Sequence, residues 1–129
     1  MELDQIKVLL IEDEEFDVRR IKNTIAPHRE RICIQEIVST GEDAIETLEK
    51  KGPYDVAILD YQISGGLYGE RLIKRLKKVD PSIQIIVITK MTINQTDLHF
   101  ANQLIESGAY WFGTKSPSDI EDFIYQPTD

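Results

Sequence analysis

The sequence predicts an α/β fold, in which one parallel β-sheet lies between two layers of helices. Short runs rich in Val, Ile and Leu recur along the chain, each bounded by charged residues or turn formers, which is typical of strands buried on both faces. Segments with apolar residues at helical spacing separate these runs. Strict alternation of strand and helix favours parallel pairing through right-handed crossovers. We therefore expect a doubly wound, five-stranded parallel sheet with helices on both faces.

The predicted strands share a composition in which β-branched residues and leucine dominate. The first strand is followed at once by acidic residues at positions 12–15, which mark its end. The five predicted strands are residues 7–11, 32–38, 56–59, 84–88 and 109–112.

The segments between the strands carry apolar residues on one face and polar residues on the other. In the first segment, Phe16, Val18, Ile21 and Ile25 are expected to face the core. The later segments have their apolar residues between positions 44 and 48, 72 and 76, 98 and 105, and 120 and 124.

Local signals mark where these helices begin and end. Ser39 to Glu42 fits a capping box at the start of the second helix. Helix ends are expected at Gly52-Pro53, Asp80-Pro81 and Gly108, and a helix start is expected at Ser116-Pro117.

The charge balance and length limit the classes of function. The 129 residues include 15 Lys and Arg against 23 Asp and Glu, a formal net charge of −8. A chain of this length supports one hydrophobic core, so a single domain is expected. The acid excess argues against direct nucleic-acid binding, because phosphate binding needs a basic surface.

Several features of the sequence predict a cytoplasmic protein without a membrane segment. The longest apolar runs, such as 8–11 and 85–88, are too short to span a bilayer, and the N-terminus lacks a signal-peptide pattern. Cys33 is the only cysteine, so no intramolecular disulfide can form. His28 and His99 have no second soft ligand that would suggest zinc.

Polar side chains follow four of the predicted strands. Glu12 and Asp13 follow the first, Asp60 the third, Thr89 the fourth and Lys115 the last. The carboxyl ends of parallel strands meet at one edge of a sheet, where ligands bind in this class of fold. Carboxylate oxygens suit Mg²⁺, and an aspartate can also act as a nucleophile in phosphoryl transfer. The joint placement predicts a magnesium site with phosphoryl chemistry.

Each of these residues has a simpler explanation when it is taken alone. A carboxylate after a strand can cap the next helix, a threonine can serve a turn, and a lysine can be a solvated charge. Gly65, Gly66 and Gly69 match no phosphate-binding motif and are interpreted as loop flexibility.

Four segments, in order, resemble the receiver domain of two-component response regulators. Residues 8–13 resemble the family's opening strand and acidic pair, and residues 57–60 resemble the strand with its phosphoaccepting aspartate. Residues 85–89 and 108–115 resemble the other two signatures. The resemblance implies a flavodoxin-like strand order 2-1-3-4-5. It also implies one receiver domain over residues 1–129, either alone or as the N-terminal part of a longer regulator.

The resemblance implies roles for the acidic residues. Asp60 would accept a phosphoryl group from a histidine kinase or a phosphotransfer protein. Glu12, Asp13, Asp60 and the main-chain carbonyl of Gln62 would hold Mg²⁺. Such a domain performs its own phosphotransfer and autodephosphorylation and turns over no external substrate, so it is not an enzyme in the usual sense.

The resemblance also implies a conformational switch. Thr89 and Lys115 would bind the phosphoryl oxygens, and Phe112 matches the aromatic residue that moves with Thr89. The alternative for Phe112 is an ordinary core aromatic. The implied partners are an upstream kinase, a downstream output domain or protein, and a second copy in a phosphorylation-dependent dimer.

The sequence departs from the family pattern near the site. Lys90 stands where a small residue is usual; it either shields the phosphoryl group or points to solvent. Ser116 replaces the usual proline after Lys115, with proline one place later at Pro117. The loop after Asp60 is longer than usual, and residues 91–96 form an insertion.

Two rival functions remain at this point. One is a phosphorylation-independent pseudo-receiver that binds a partner constitutively, which the changes at Lys90 and Ser116 would favour. The other is a magnesium-dependent phosphohydrolase. It ranks lowest because Asp60 is followed by Tyr61-Gln62 rather than by the x-Asp of the usual nucleophile motif.

Overall fold

The computed structural model describes residues 5–61, 66–89, 102–114 and 120. Its strands form a parallel sheet in the order β2-β1-β3-β4-β5. The predicted α/β class with a parallel sheet and helices is confirmed. The strands are β1 (Ile6–Ile11), β2 (Ile32–Val38), β3 (Val56–Asp60), β4 (Gln84–Thr89) and β5 (Trp111–Thr114).

The last strand begins and ends two residues later than the predicted segment 109–112. The backbone N–H of Ala109 bonds back to the carbonyl of Leu104, so this residue closes the preceding turn instead of joining the sheet. Gly108 has a φ of 120°, a value that only glycine adopts freely, and it ends the helical turn as predicted.

Helices cover both faces of the sheet, as the alternation predicts. They are α1 (Glu15–Ile25), α2 (Gly41–Lys51) and α3 (Gly69–Val79), with a short 3₁₀ turn over Ala26–His28. One apolar layer joins α2, α3 and the helical residues 102–106 to the sheet, through Leu48, Leu76 and Leu104 among others. The other layer joins α1 to the sheet and includes Ile120.

The prediction for α1 is confirmed at Ile21 and Ile25, which are buried, and at Val18, which packs partly buried against the same layer. It is wrong at Phe16, which is 68% exposed, while Asp17 is buried instead. At 100° per residue, positions 17, 21 and 25 lie on one face of the helix, and position 16 lies about 100° away from position 17. The Arg20 guanidinium lies over the Phe16 ring, with its Cζ 5.8 Å from the ring centroid.

The start of α2 also differs from prediction. Thr40, not Ser39, is the N-cap, and its hydroxyl oxygen accepts a hydrogen bond of 3.1 Å from the N–H of Asp43. The helix begins at Gly41, so the cap lies one residue later than the capping box from Ser39 to Glu42 requires. The helix ends at Gly52-Pro53 and at Asp80-Pro81 are confirmed.

Several predicted features lie outside the described residues. These are the insertion 91–96, the helix start at Ser116-Pro117, and the apolar positions 98, 123 and 124. In the part of the chain that the structure describes, every helix is too short or too polar to cross a membrane.

The burial pattern predicts a contrast between two substitutions. Ile58 lies fully buried in central strand β3, so Ile58→Ala should destabilise the fold by about 2–5 kcal/mol through lost contacts and the cavity that remains. Phe16→Ala on the exposed face of α1 should change stability by less than about 1 kcal/mol. Urea unfolding measures both values. Equal losses would show that Phe16 packs against the core after all.

Candidate functional site

The pairing of β1 with β3 brings two acidic residues to one edge of the sheet. In this register Ile11 lies opposite Leu59, so the next residues, Glu12 and Asp60, stand side by side. Asp60 is the last residue of β3 and lies opposite Ile88 of β4. The predicted convergence of carboxylates at the carboxyl ends of the strands is therefore present in the structure.

Glu12, Asp13 and Asp60 form an acidic cluster. Each contributes a carboxylate oxygen, and the three oxygens lie within 4.8 Å of one another. Glu12 and Asp60 are buried, whereas Asp13 is accessible to solvent. The cluster therefore has two carboxylates fixed in the protein interior and one at the entrance.

The backbone holds Glu12 in place from two sides. Its N–H donates a 2.9 Å hydrogen bond to the carbonyl of Val38 at the end of β2. Its side-chain Oε2 accepts a 3.2 Å hydrogen bond from the N–H of Glu14. These bonds fix both the strand end and the carboxylate, so the acidic cluster is part of the fold rather than a chance meeting of surface side chains.

The cluster has the donor chemistry of a site for a hard divalent cation. Two like charges 4.8 Å apart repel by roughly 3 kcal/mol at an effective dielectric of about 20, so a cation that neutralises them is favoured. Mg²⁺ binds oxygen at about 2.1 Å, so oxygens that share one ion lie no more than about 4.2 Å apart. A small side-chain rotation covers the difference. The three carboxylates fit Mg²⁺.

Thr89 lies at the same edge, on the neighbouring strand. It is the last residue of β4, is fully buried, and lies opposite Thr114 of β5. Lys115 follows Thr114 directly in sequence but lies outside the described residues. So do Gln62, Lys90 and Ser116, and the side chain of Phe112 is likewise not described. The structure therefore brings together Glu12, Asp13, Asp60 and Thr89 among the predicted site residues.

Tyr61, the residue after Asp60, was missed by the sequence analysis. Its N–H donates a 3.0 Å hydrogen bond to the carbonyl of Ile88, which fixes the chain as it leaves β3. Its ring packs against Gly69, the first residue of α3. Burial raises the pKa of the Tyr61 hydroxyl, and the nearby Glu70 and Tyr68 raise it further. An aromatic residue directly after a strand-end aspartate was the available signal.

Gly69 has a defined structural role that the interpretation as loop flexibility overlooked. Its φ is 59°, in the left-handed region that favours glycine. A Cβ at this position would lie 3.1 Å from Cε2 of the Tyr61 ring. Gly69 therefore lets α3 begin directly against the residue that follows Asp60.

Comparisons with known proteins agree on one family. The model of the response regulator receiver domain matches residues 8–124. A search of the curated proteins gives no match. The structure is similar to the signal receiver domain of NarL from Mycobacterium tuberculosis, with a TM-score of 0.79 and 17% identity over 95% of this chain and 94% of that one.

Two further solved structures show the same fold. A CheY-like receiver domain protein from Methanospirillum hungatei has a TM-score of 0.72 and 18% identity, over 94% of this chain and 91% of that one. The RcsB response regulator from Salmonella typhimurium has a TM-score of 0.80 and 20% identity, over 93% of this chain and 58% of that one. This chain therefore matches only part of the RcsB protein.

The raised pKa of Tyr61 predicts a loss of stability at high pH. Because the hydroxyl ionises at higher pH in the folded chain than in the unfolded one, its stabilising effect is complete below the unfolded value of 10.0. That effect is lost as the pH rises through the folded value. In urea unfolding between about pH 9 and 11, the unfolding free energy of Tyr61→Phe should decrease less with pH than that of the wild type.

The exposed Tyr110 provides the matched control for this measurement. Tyr110→Phe should leave the pH dependence close to that of the wild type. If both variants had the same profile as the wild type, the ionisation of Tyr61 would not be linked to folding.

Proposed function

The chain belongs to the response regulator receiver domain family, and from this premise we propose that it is a signalling switch in which Asp60 accepts a phosphoryl group. Receiver domains are signalling domains rather than conventional enzymes, so the physiological phosphoryl donor of Asp60 would be another protein. The observation that carries the proposal is the cluster of Glu12 and Asp13 around the buried carboxylate of Asp60.

The transfer step is a displacement at phosphorus. An oxygen of the Asp60 carboxylate forms a bond to the phosphorus atom, while the bond between phosphorus and the imidazole nitrogen of the donor histidine breaks. The product is an acyl phosphate on Asp60 and a free histidine. Because Asp60 is 4% exposed and sits at the end of a strand, its carboxylate has a fixed direction of attack, which favours transfer.

Glu12, Asp13, Asp60 and the main-chain carbonyl of Gln62 would hold Mg²⁺ in this proposal. When bound, Mg²⁺ supplies positive charge against the phosphoryl oxygens and the acidic cluster. Glu12 and Asp60 contribute from fixed strand ends, whereas the accessible Asp13 leaves the site open to solvent. The residues present therefore match both the charge and the oxygen chemistry that the ion requires.

Thr89 and Lys115 would bind the phosphoryl oxygens once Asp60 is modified. The Thr89 hydroxyl donates a hydrogen bond, and the Lys115 ammonium forms an ion pair. The register supports this assignment, because Thr114 lies opposite Thr89 and Lys115 is the next residue. Phe112, on the same strand, would move with Thr89 and change the surface that an output partner contacts.

The partners follow from this role. The upstream partner is a histidine kinase or a phosphotransfer protein, and the downstream partner is an output domain or a separate protein. We place the protein in the cytoplasm, where such kinases present their phosphorylated histidine. With a net charge of −8, this domain would leave any contact with nucleic acid to its output partner, in contrast to the DNA interaction described for RcsB. Phosphorylation would also favour dimerisation.

The direct test is the intact mass of the protein after incubation with acetyl phosphate and Mg²⁺. The wild-type chain should gain one phosphoryl group. Asp60→Asn, which keeps the side-chain shape but lacks the nucleophilic oxygen, should gain none, and chelation of the metal should prevent the gain in the wild type.

A negative result needs a second donor before it counts against the proposal. If the folded wild-type chain gained no phosphoryl group from acetyl phosphate or from phosphorylated histidine kinases, the pseudo-receiver would be the better function. Gain of a phosphoryl group by Asp60→Asn would place the acceptor elsewhere.

The repulsion within the acidic cluster predicts that removing one carboxylate raises the stability of the metal-free protein and weakens metal binding. Asp13→Asn should stabilise the metal-free protein by roughly 1–3 kcal/mol, because one of the like charges is removed. The same change should weaken Mg²⁺ binding. For the wild type, Mg²⁺ at 100 times its dissociation constant should add about 2.7 kcal/mol, and Asp13→Asn should lose most of this gain.

Thermal unfolding with and without Mg²⁺ measures both effects. Glu49→Gln on the exposed face of α2 removes one negative charge away from the cluster and serves as the control. It should keep the Mg²⁺ effect of the wild type. An equal Mg²⁺ effect in Asp13→Asn would exclude Asp13 from the metal site.

A further inference from the structure

The start of α2 packs directly against the loop that follows Asp60. Gly41 is the first residue of α2, and a Cβ at this position would lie 2.1 Å from the carbonyl oxygen of Leu67 and 3.1 Å from its carbonyl carbon. Leu67 lies in the segment between β3 and α3. The backbones of these two elements are therefore closer than any residue with a side chain at position 41 would allow.

Position 41 requires glycine because a side chain has no room there, and not because of its backbone conformation. Among the described residues, the glycines with positive φ are Gly69 and Gly108, so Gly41 has a φ that other residues adopt. Contacts of a real Cβ under 3.0 Å are essentially never seen. An alanine at position 41 would have to displace the Leu67 carbonyl by about 0.9 Å, the difference between 3.0 and 2.1 Å.

The Leu67 backbone cannot move easily, because the Leu67 side chain is buried and holds this part of the loop in place. It is buried in the apolar layer that it shares with Ile45 and Leu72. The atoms that meet position 41 belong to the backbone, which cannot rotate away as the end of a flexible side chain can. A larger residue at position 41 would therefore move the loop itself.

The end of β2, shortly before α2, contacts the other half of the acidic cluster. The carbonyl of Val38, three residues before Gly41, accepts the hydrogen bond from the N–H of Glu12. On the opposite side, Tyr61, the residue after Asp60, packs against Gly69, and the backbone of Leu67 contacts Gly41. The short stretch 38–41 thus connects the strand end of Glu12 with the loop of Asp60.

We propose that Gly41 is a positioning residue, through which the start of α2 holds residues 66–69 against Tyr61 and so positions the chain that follows Asp60 beside the metal site. The inference rests on the proposed function in naming the site as one for Mg²⁺. Its structural part, the control of the loop after Asp60 by position 41, holds independently of any metal.

The test compares two glycines at opposite ends of the same helix. Gly41→Ala places a Cβ against the Leu67 carbonyl, near the cluster. Gly52→Ala places a Cβ 2.4 Å from the Leu48 carbonyl oxygen at the far end of α2, so it is a matched backbone clash away from the site. Three quantities are measured for both variants: unfolding free energy, Mg²⁺ affinity by calorimetry, and the amide chemical shifts of residues 60, 61 and 66–69 in metal-free protein.

We expect both variants to lose stability and only Gly41→Ala to alter the site. Its amide shifts at 60, 61 and 66–69 should move, and its Mg²⁺ affinity should fall by roughly 10-fold, the usual effect of losing a group that orients metal ligands. If the two variants had equal Mg²⁺ affinities and equal shifts at these residues, Gly41 would be a purely structural glycine and the inference would be overturned.

A second pair of variants covers the case in which Gly41→Ala does not fold. Leu67→Ala frees the loop anchor, and Leu76→Ala makes the same change at another buried position of the same layer. Only Leu67→Ala should move the amide shifts of Asp60 and Tyr61. If the wild type bound no Mg²⁺, the proposed function would be in doubt, whereas the shifts alone would still decide the role of Gly41.

Discussion

The in-register parallel pairing of β1 with β3 is the constraint on which the candidate site depends. It aligns Ile11 with Leu59, so Glu12 and Asp60 leave the sheet side by side although they are far apart in sequence. A slip of one residue would draw one of these carboxylates towards an apolar layer, where an unpaired ion costs several kcal/mol. The register that packs the core is therefore the same register that assembles the acidic cluster.

The acidic cluster brings like charges close together at the end of a fully buried strand. Like charges at this separation repel by roughly 3 kcal/mol per pair. Val8, Leu9, Leu10 and Ile11 are completely buried, and each buried aliphatic side chain contributes about 1.5–3 kcal/mol. The sheet can therefore carry a group of like charges at its edge, a placement that is typical of functional residues.

The sequence was sufficient to predict the α/β class, the parallel sheet and the convergence of Glu12, Asp13 and Asp60, because strand periodicity and strand ends are local signals. It was not sufficient to predict the exact first residue of α2, where Thr40 and not Ser39 is the cap. Nor did it predict that α1 buries Asp17 and exposes Phe16, because helical spacing assigns apolar residues, and not acidic ones, to the core. The close approach at Gly41 could not be predicted, since it joins two distant segments of backbone.

The glutamate at position 12 shows how the local backbone holds a long acidic side chain in place. Its side chain is one methylene longer than that of an aspartate, so its carboxylate has more freedom. The N–H of Glu14 removes that freedom by donating a hydrogen bond to Oε2, while the bond from the Glu12 N–H to Val38 fixes the main chain. Both bonds involve the backbone, so local main-chain geometry holds the carboxylate in place. The position of Glu12 is therefore set by main-chain hydrogen bonds, at Val38 on one side and at Glu14 on the other.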